Sequence, residues 1–205
     1  MRLFIKCMLQ FIESIKLLDG EYHNLPLHDE RRYHTLVKVT GMKPKETLSQ
    51  LLDLTLRPLK GLYKCRVIYN EDACQVELVP YAMKRIDSLK VVSNDSIDYS
   101  FKFENRTDLN EIFRQRGACD EVVIVRNGWV TDASYANLLF KFGNDWITPT
   151  TCLLNGVMRQ RLLADGKIKE DEIRVNDLSK FESVKLINAM LGVDGNEVPV
   201  NKIIF

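Results

Sequence analysis

Two polar residues lie where their surroundings could support chemistry. Lys102 stands between Phe101 and Phe103, and Asp132 follows a β-rich run of apolar residues. Aromatic neighbours can desolvate an amine, which lowers its pKa and leaves it neutral for Schiff-base formation. The simpler interpretation is that Lys102 alternates outward from a strand with both phenylalanines in the core, and that Asp132 is a turn residue. On spacing alone, the sequence favours these simpler interpretations.

A third candidate is Gly156, which is followed by Val157 and Met158. This pattern predicts the beginning of a helix. The first N–H groups of a helix have no partner within it, so they form an anion site, and phosphate is the usual anion. Many helices begin after Asn-Gly, so the feature is a weak phosphate signal by itself. Arg31 by default belongs to a solvated helix face.

Two β-hairpins are predicted to position Asp132 and the helix after Gly156. Asn127-Gly128 and Gly143-Asn144 separate β-rich runs, and these residue types tolerate positive φ in tight turns. The predicted strands are residues 121–125 with 129–132, and residues 137–142 with 146–149.

The remaining elements complete an α+β pattern. Strands are predicted at 3–25 (with a turn at Asp19-Gly20), 62–69, 75–81, 89–93, 168–175, 184–190 and 198–204, and helices at 26–38, 47–54 and 104–116. The polar stretch 94–96 marks a predicted boundary between a small α/β domain, residues 1–95, and a strand-rich domain, residues 96–205.

Composition narrows the class of protein. The 205 residues carry 29 Lys+Arg and 28 Asp+Glu, a formal charge of +1, which implies neither a nucleic-acid nor a membrane partner. Lys6 interrupts the apolar amino end, so we expect a strand there and not a signal peptide. Five cysteines without a C-x-x-C pair favour reduced thiols in the cytoplasm over disulfides or a metal site.

Five motifs, in order, resemble those of the fold-type IV pyridoxal-phosphate (PLP) enzymes. This family includes branched-chain aminotransferase, D-amino-acid aminotransferase and aminodeoxychorismate lyase. The resemblance spans Phe11 to Val193. The motifs are Phe11-Ile12-Glu13-Ser14-Ile15 for F-E-T-I, His28-Asp29-Glu30-Arg31 for H-x-x-R, Lys102-Phe103-Glu104-Asn105-Arg106 for K-x-x-N-R, Val130-Thr131-Asp132 through Asn137-Leu138 for V-T-E-x-x-x-x-N-L, and Asn155-Gly156-Val157-Met158-Arg159-Gln160 for N/P-G-I-x-R-Q.

The resemblance implies a D-amino-acid aminotransferase-like fold whose second domain carries the Schiff-base lysine. It makes Lys102 both the cofactor attachment point and the general base, with Asp132 paired to the pyridine nitrogen. Cofactor contacts are further implied for a set of residues that hold the phosphate or surround the ring acid: Arg31, Asn137, Val157, Met158 and Asn188. The relatives are homodimers, so a homodimer is expected.

Three features favour the aminodeoxychorismate lyase branch, namely K-x-x-N-R, N-G-V-M-R and Asn188-Ala189. That lyase eliminates pyruvate to leave 4-aminobenzoate, a folate precursor, and Ser14 is the expected donor to the leaving group. An aminotransferase acting on an amino-acid-like substrate is the alternative, followed by a PLP-fold protein without turnover. Asp132 replaces the usual Glu, both ends are short, and the Gly-rich run expected after Val67 is absent, which leaves the substrate more open than the cofactor.

Overall fold

The computed structural model describes residues 9–53, 56–193 and 195–205. The strand predicted for the amino end therefore lies largely outside the described residues, as do Cys7 and the last residue of the predicted helix 47–54. The chain divides into two compact units. The first runs to Tyr81 and also contains Phe101–Asn105, whereas the second comprises Ala82–Ser100 and Arg106–Phe205.

The first unit is built on an antiparallel sheet of four strands in the order β2-β1-β3-β4. The strands are β1 Phe11–Leu18, β2 Glu21–Tyr22, β3 Leu62–Tyr69 and β4 Cys74–Pro80. Asp19 and Gly20 both have positive φ and make the predicted turn between β1 and β2.

Two helices accompany this sheet, α1 at Leu25–Thr40 and α2 at Leu48–Asp53. Helix α1 ends at Gly41, whose φ of 75° suits a residue without a side chain. Along β1, side chains alternate between the two faces of the sheet. The face directed at the helices carries Phe11, Glu13, Ile15 and Leu17, all with 0% exposure.

Residues 101–105 pair with β1 along the edge that the short β2 leaves open. The backbone N–H of Ile12 donates to the carbonyl of Lys102 at 2.9 Å, and Glu104 N–H donates to Gln10 O at 2.8 Å. Phe101 and Phe103 are half-buried and pack against Phe11, with ring centroids 6.3 and 5.4 Å away. The expected packing of both phenylalanines is therefore present, and it belongs to the first unit.

The second unit contains two sheets, ordered β13-β5-β6-β7 and β10-β9-β8-β11-β12. Their strands are β5 Leu89–Ser93, β6 Glu121–Arg126, β7 Trp129–Val130, β8 Asn137–Phe142, β9 Asp145–Pro149, β10 Lys169–Asp171, β11 Ser183–Ile187, β12 Val198–Pro199 and β13 Ile203–Ile204. The helices are α3 Thr107–Arg114 and α4 Val157–Ala164, with 3-10 turns at Val175–Lys180 and Val200–Lys202. Apolar side chains from both sheets share one core that includes Val123, Leu138 and Phe140.

The α+β class is confirmed, and both predicted hairpins are present as β6–β7 and β8–β9. The strand predicted at 168–175 is limited to Lys169–Asp171, and the strand predicted at 198–204 is divided into β12 and β13 by a 3-10 turn. Among the described residues of the second unit, three strand pairs are parallel, β5–β6, β13–β5 and β9–β10.

The predicted domain boundary at 94–96 lies within the first segment of the second unit. Lys102 groups with the first unit, because its segment is hydrogen-bonded to β1. The division into functional domains at residue 95 remains a prediction. Across the described ranges, the helices are all too short or too polar to cross a bilayer.

Candidate active site

In the first unit, polar side chains converge on Glu13 of β1. Arg31 donates from Nε to Glu13 Oε1 at 2.9 Å and also from Nη2 to Oε2. His28, one helical turn before Arg31 on α1, lies with Nδ1 2.6 Å from Oε2. Arg31, expected from the resemblance to hold phosphate, is therefore fixed against a buried carboxylate by a two-point contact.

The charges in this cluster follow from its burial. Burial alone would raise the pKa of Glu13, but the charge of Arg31 and the hydrogen bonds from His28 and Arg31 lower it to about 2. Burial lowers the pKa of His28, an effect that Arg31 and Lys102 reinforce and Glu13 opposes. A neutral His28 beside an ionised Glu13 carries its proton on Nδ1 and donates it to the carboxylate.

Lys102 lies close to the same cluster, since its charge contributes to the lowered pKa of His28. Its carbonyl is held by Ile12 N–H, next to Glu13 in β1. The structure thus brings two of the predicted residues against neighbouring positions of β1, because Arg31 contacts Glu13 and Lys102 pairs with Ile12.

Ser14 lies elsewhere in the first unit. It follows Glu13 in β1, so its side chain is directed at the opposite face of the sheet. Its partner across the strands is Arg66 on β3, which forms an ion pair of 2.7 Å with Glu77. Ser14 therefore does not join the Glu13–Arg31 cluster, and its role as a donor remains a prediction.

In the second unit, Asp132 is a buried carboxylate with three hydrogen-bond donors. Its Oδ2 accepts from the backbone N–H groups of Leu153 and Leu154 at 2.8 and 3.0 Å, and its Oδ1 accepts from Asn137 Nδ2 at 2.7 Å. A carboxylate offers about four acceptor positions. Asp132 therefore retains the capacity to accept from one further donor, such as a protonated ring nitrogen.

Burial raises the pKa of Asp132 to about 6, although the hydrogen bonds and the charge of Arg159 oppose the rise. The ionised form thus lacks a full set of compensating partners in this environment. A cationic group placed beside Asp132 would favour its ionisation, which is the electrostatic relation expected between this acid and a pyridinium.

Asn137 links Asp132 to the segment that leads into α4. Besides contacting Asp132, its Nδ2 donates to Leu154 O at 2.8 Å. Its Oδ1 lies so close to Gly156 that a Cβ added there would be 2.2 Å away, which no real contact permits. Gly156 is therefore required by the position of Asn137 and not by a positive φ, since its φ is −68°.

Helix α4 begins directly after this segment, as predicted. Gly156 is its extended N-cap residue, and within the described chain no side chain caps the first turn. The N–H groups of Val157 and Met158 fall in that turn, where helical partners are lacking. These are the two backbone donors that the resemblance assigns to phosphate.

Arg159 secures α4 from its buried side. Its Nη1 donates to Asn155 Oδ1 at 2.9 Å and its Nη2 to Pro149 O at 3.1 Å, and it forms an ion pair with Glu170. The motif's arginine is thus structural in this unit, and it holds the start of α4 against β9 and β10.

Asn188 follows β11 and closes a turn. Its Oδ1 accepts from the N–H groups of Met190 and Leu191 at 2.9 and 3.0 Å, while Nδ2 donates to Tyr135 O at 3.3 Å. These contacts hold its amide within the second unit. The phosphate contact expected of Asn188 remains a prediction.

Sequence reasoning did not single out Glu13 or the N–H groups of Leu153 and Leu154. A signal for Glu13 was available, because it is the one acid on a strand face that otherwise carries Phe11, Ile15 and Leu17. Backbone donors in a loop leave no such trace in residue types.

The chain is similar in sequence and fold to several known proteins. A protein of Haemophilus somnus provisionally named a 4-amino-4-deoxychorismate lyase is 37% identical, with a TM-score of 0.85 over 90% of this chain and 98% of that one. An uncharacterised protein of Haemophilus influenzae is 37% identical over 91% of this chain and its own full length. A hypothetical aminotransferase of Mycobacterium tuberculosis in its PLP-bound form is 17% identical, with a TM-score of 0.72 over 95% of this chain and 81% of that one.

The model of the amino-transferase class IV family matches residues 10–200. The chain therefore belongs to the class IV aminotransferase family, and its fold is the fold-type IV architecture expected from the motifs.

Proposed function

We propose that this chain is a PLP-dependent enzyme that acts as a 4-amino-4-deoxychorismate lyase. The observation that carries the proposal is the buried Asp132, which accepts hydrogen bonds from the segment leading directly into the uncapped start of α4. These contacts support the proposal because they put an acid with spare acceptor capacity next to a helix start suited to phosphate.

The residues present fit the cofactor. Arg31 offers a planar set of donors suited to a phosphate, and α4 offers N–H groups with the favourable end of the helix dipole. Asp132 has acceptor capacity for a ring N–H. Lys102 supplies the amine for a Schiff base.

When bound, PLP withdraws electrons from the bond that is broken at the substrate's α-carbon. The chain's own residues then have separate tasks. Asp132 keeps a proton on the ring nitrogen, and Lys102 takes and returns the substrate's α-proton through its amine. Arg31 would donate to the phosphate from its guanidinium, and Val157 and Met158 would donate from their backbone N–H groups.

The lyase assignment is supported by the Haemophilus somnus relative and by the motifs that favour this branch. In this reaction a proton leaves the α-carbon and the bond between the neighbouring ring carbon and its ether oxygen breaks. The ring becomes 4-aminobenzoate, and the released enolpyruvate takes up a proton to become pyruvate. An aminotransferase is the second candidate, because the family and the Mycobacterium tuberculosis relative carry that name.

The two candidates are separated by their products. Purified protein with PLP should release pyruvate and 4-aminobenzoate in equal amounts from 4-amino-4-deoxychorismate, without an added keto acid. An aminotransferase would instead consume a keto acid and an amino donor in a parallel panel. Activity only in that panel would replace the lyase with an aminotransferase, and inactivity of PLP-loaded protein in both would favour a protein without turnover.

Two further properties belong to the proposal. The resemblance supports a homodimer, which sedimentation equilibrium would test directly. Cytoplasmic location is supported by the cysteine content, and none of the four cysteines in the described ranges forms a disulfide.

A further inference from the structure

Glu13 is a buried acid of the first unit that has no role in the proposed function so far. It is fully buried on a strand face whose other members are the apolar Phe11, Ile15 and Leu17. An ionised carboxylate in such a place is strongly disfavoured unless other groups pair with it. Its partners therefore indicate what holds it there.

Those partners are both on α1. Arg31 contacts the two carboxylate oxygens through Nε and Nη2, which fixes the plane of the guanidinium as well as its distance. His28 is itself fully buried and places Nδ1 2.6 Å from Oε2. Among the described residues, no atom hydrogen-bonds to the other ring nitrogen of His28, so the polar contact of this ring is directed at Glu13.

The preceding residue in β1, Ile12, contacts the lysine. Ile12 donates its N–H to Lys102 O at 2.9 Å, while Glu13 holds Arg31 from the adjacent position. Two consecutive residues of one strand thus set the backbone of the Schiff-base lysine and the side chain of the phosphate arginine.

We propose that Glu13, oriented by His28, is a positioning residue that presents Arg31 to the cofactor phosphate in register with Lys102. The inference rests on the proposed function, because it requires PLP to be the ligand. Glu13 also offsets the positive charge of Arg31. This partial neutralisation by itself would weaken phosphate binding. The orientation that Glu13 gives to Arg31 outweighs this effect.

The test compares PLP with pyridoxal, which has the same ring and aldehyde but no phosphate. Apoprotein carrying Glu13→Gln keeps its side-chain size but loses the two-point contact with Arg31. We expect its Kd for PLP to rise at least tenfold and its Kd for pyridoxal to change less than twofold. In an Arg31→Ala background, Glu13→Gln should add no further loss for PLP. Unchanged or tighter PLP binding, or equal losses for both ligands, would overturn the proposal.

A second variant guards against misfolding of Glu13→Gln. His28→Phe keeps an aromatic ring, removes the buried nitrogen without a partner, and abolishes the hydrogen bond to Glu13. We expect it to fold and to show a several-fold loss for PLP but not for pyridoxal. Failure of both variants to fold would assign Glu13 and His28 to the core and overturn the proposal.

Failure of the proposed function has a different signature from failure of this inference. Wild-type protein that binds neither ligand would remove PLP from the account. If the wild-type protein binds PLP, the proposed function stands. If the variants then show the same ratio of Kd for PLP to Kd for pyridoxal as the wild type, only the role of Glu13 is removed.

Discussion

The residues around two buried carboxylates, Asp132 and Glu13, explain why their pKa values differ. Burial raises the pKa of Asp132 to about 6, because three hydrogen bonds from neutral groups and the charge of Arg159 offset the effect of burial only in part. Burial also acts on Glu13, but the direct contact with Arg31 outweighs it and brings its pKa to about 2. At neutral pH the ionised form of Glu13 is stabilised by residues of its own unit. The ionised form of Asp132 would be stabilised further by a cation placed beside it.

This difference predicts how the stability of the apoprotein depends on pH. Native Asp132, with a pKa raised from 3.8 to about 6, binds more protons than the unfolded chain between those values. The free energy of unfolding should therefore fall as pH rises through this window, by roughly 3 kcal/mol from this group. Asp132→Asn should remove that fall, as measured by urea unfolding at pH 4, 5, 6 and 7. The same pH dependence in both proteins would contradict the burial argument.

Asp132→Asn also separates charge from hydrogen bonding in the PLP-loaded enzyme. The variant should still bind PLP, since the phosphate contacts are untouched, but turnover should fall more than a hundredfold, equivalent to about 3 kcal/mol of transition-state stabilisation. Asp132→Glu restores the acid usual in the family and tests reach alone. Wild-type turnover in Asp132→Asn would make Asp132 a turn residue only.

At the scale of elements, the side chain of Asn137 connects the start of β8 to the segment that leads into α4. Asn137 at the start of β8 joins Asp132 to Leu154, and its Oδ1 fills the space beside Gly156. The beginning of α4 is therefore positioned by the same side chain that donates to Asp132.

A double-mutant cycle on the apoprotein tests this link. Gly156→Ala should lower the free energy of unfolding by about 1–3 kcal/mol, because its Cβ would overlap Asn137 Oδ1. The backbone conformation of Gly156 is accessible to alanine, so the cost is steric. In an Asn137→Ala background, which vacates that space, the cost of Gly156→Ala should largely vanish in urea unfolding. An equal cost in both backgrounds would contradict the contact.

The elements that sequence predicts well are those with local signals. Asn127-Gly128 specifies a two-residue hairpin through positive φ, and Gly41 ends α1 for the same reason. Parallel pairs such as β9–β10 have no local signal, because their partners are distant in the chain. The donors to Asp132 were equally hidden, since Leu153 and Leu154 contribute only backbone N–H groups.

At the scale of the whole molecule, motifs that are close in the chain do not always belong to the same unit. Lys102 lies in a segment of five residues, 101–105, that returns to the first unit between two segments of the second. The first unit therefore holds Arg31 and Lys102, and the second holds Asp132 and α4. The motifs revealed the family and the candidate residues, but the return of 101–105 depends on long-range pairing with β1 that residue patterns do not encode.

The attachment of PLP to Lys102 tests the central claim most directly. Protein incubated with PLP and reduced with borohydride should carry one cofactor, located by peptide mass spectrometry on the peptide that contains Lys102. Lys102→Ala should fold but acquire no adduct, whereas Lys16→Ala, which removes a half-buried lysine of β1, should be labelled like the wild type. Absence of label in folded wild-type protein, or label on a lysine other than Lys102, would contradict the account.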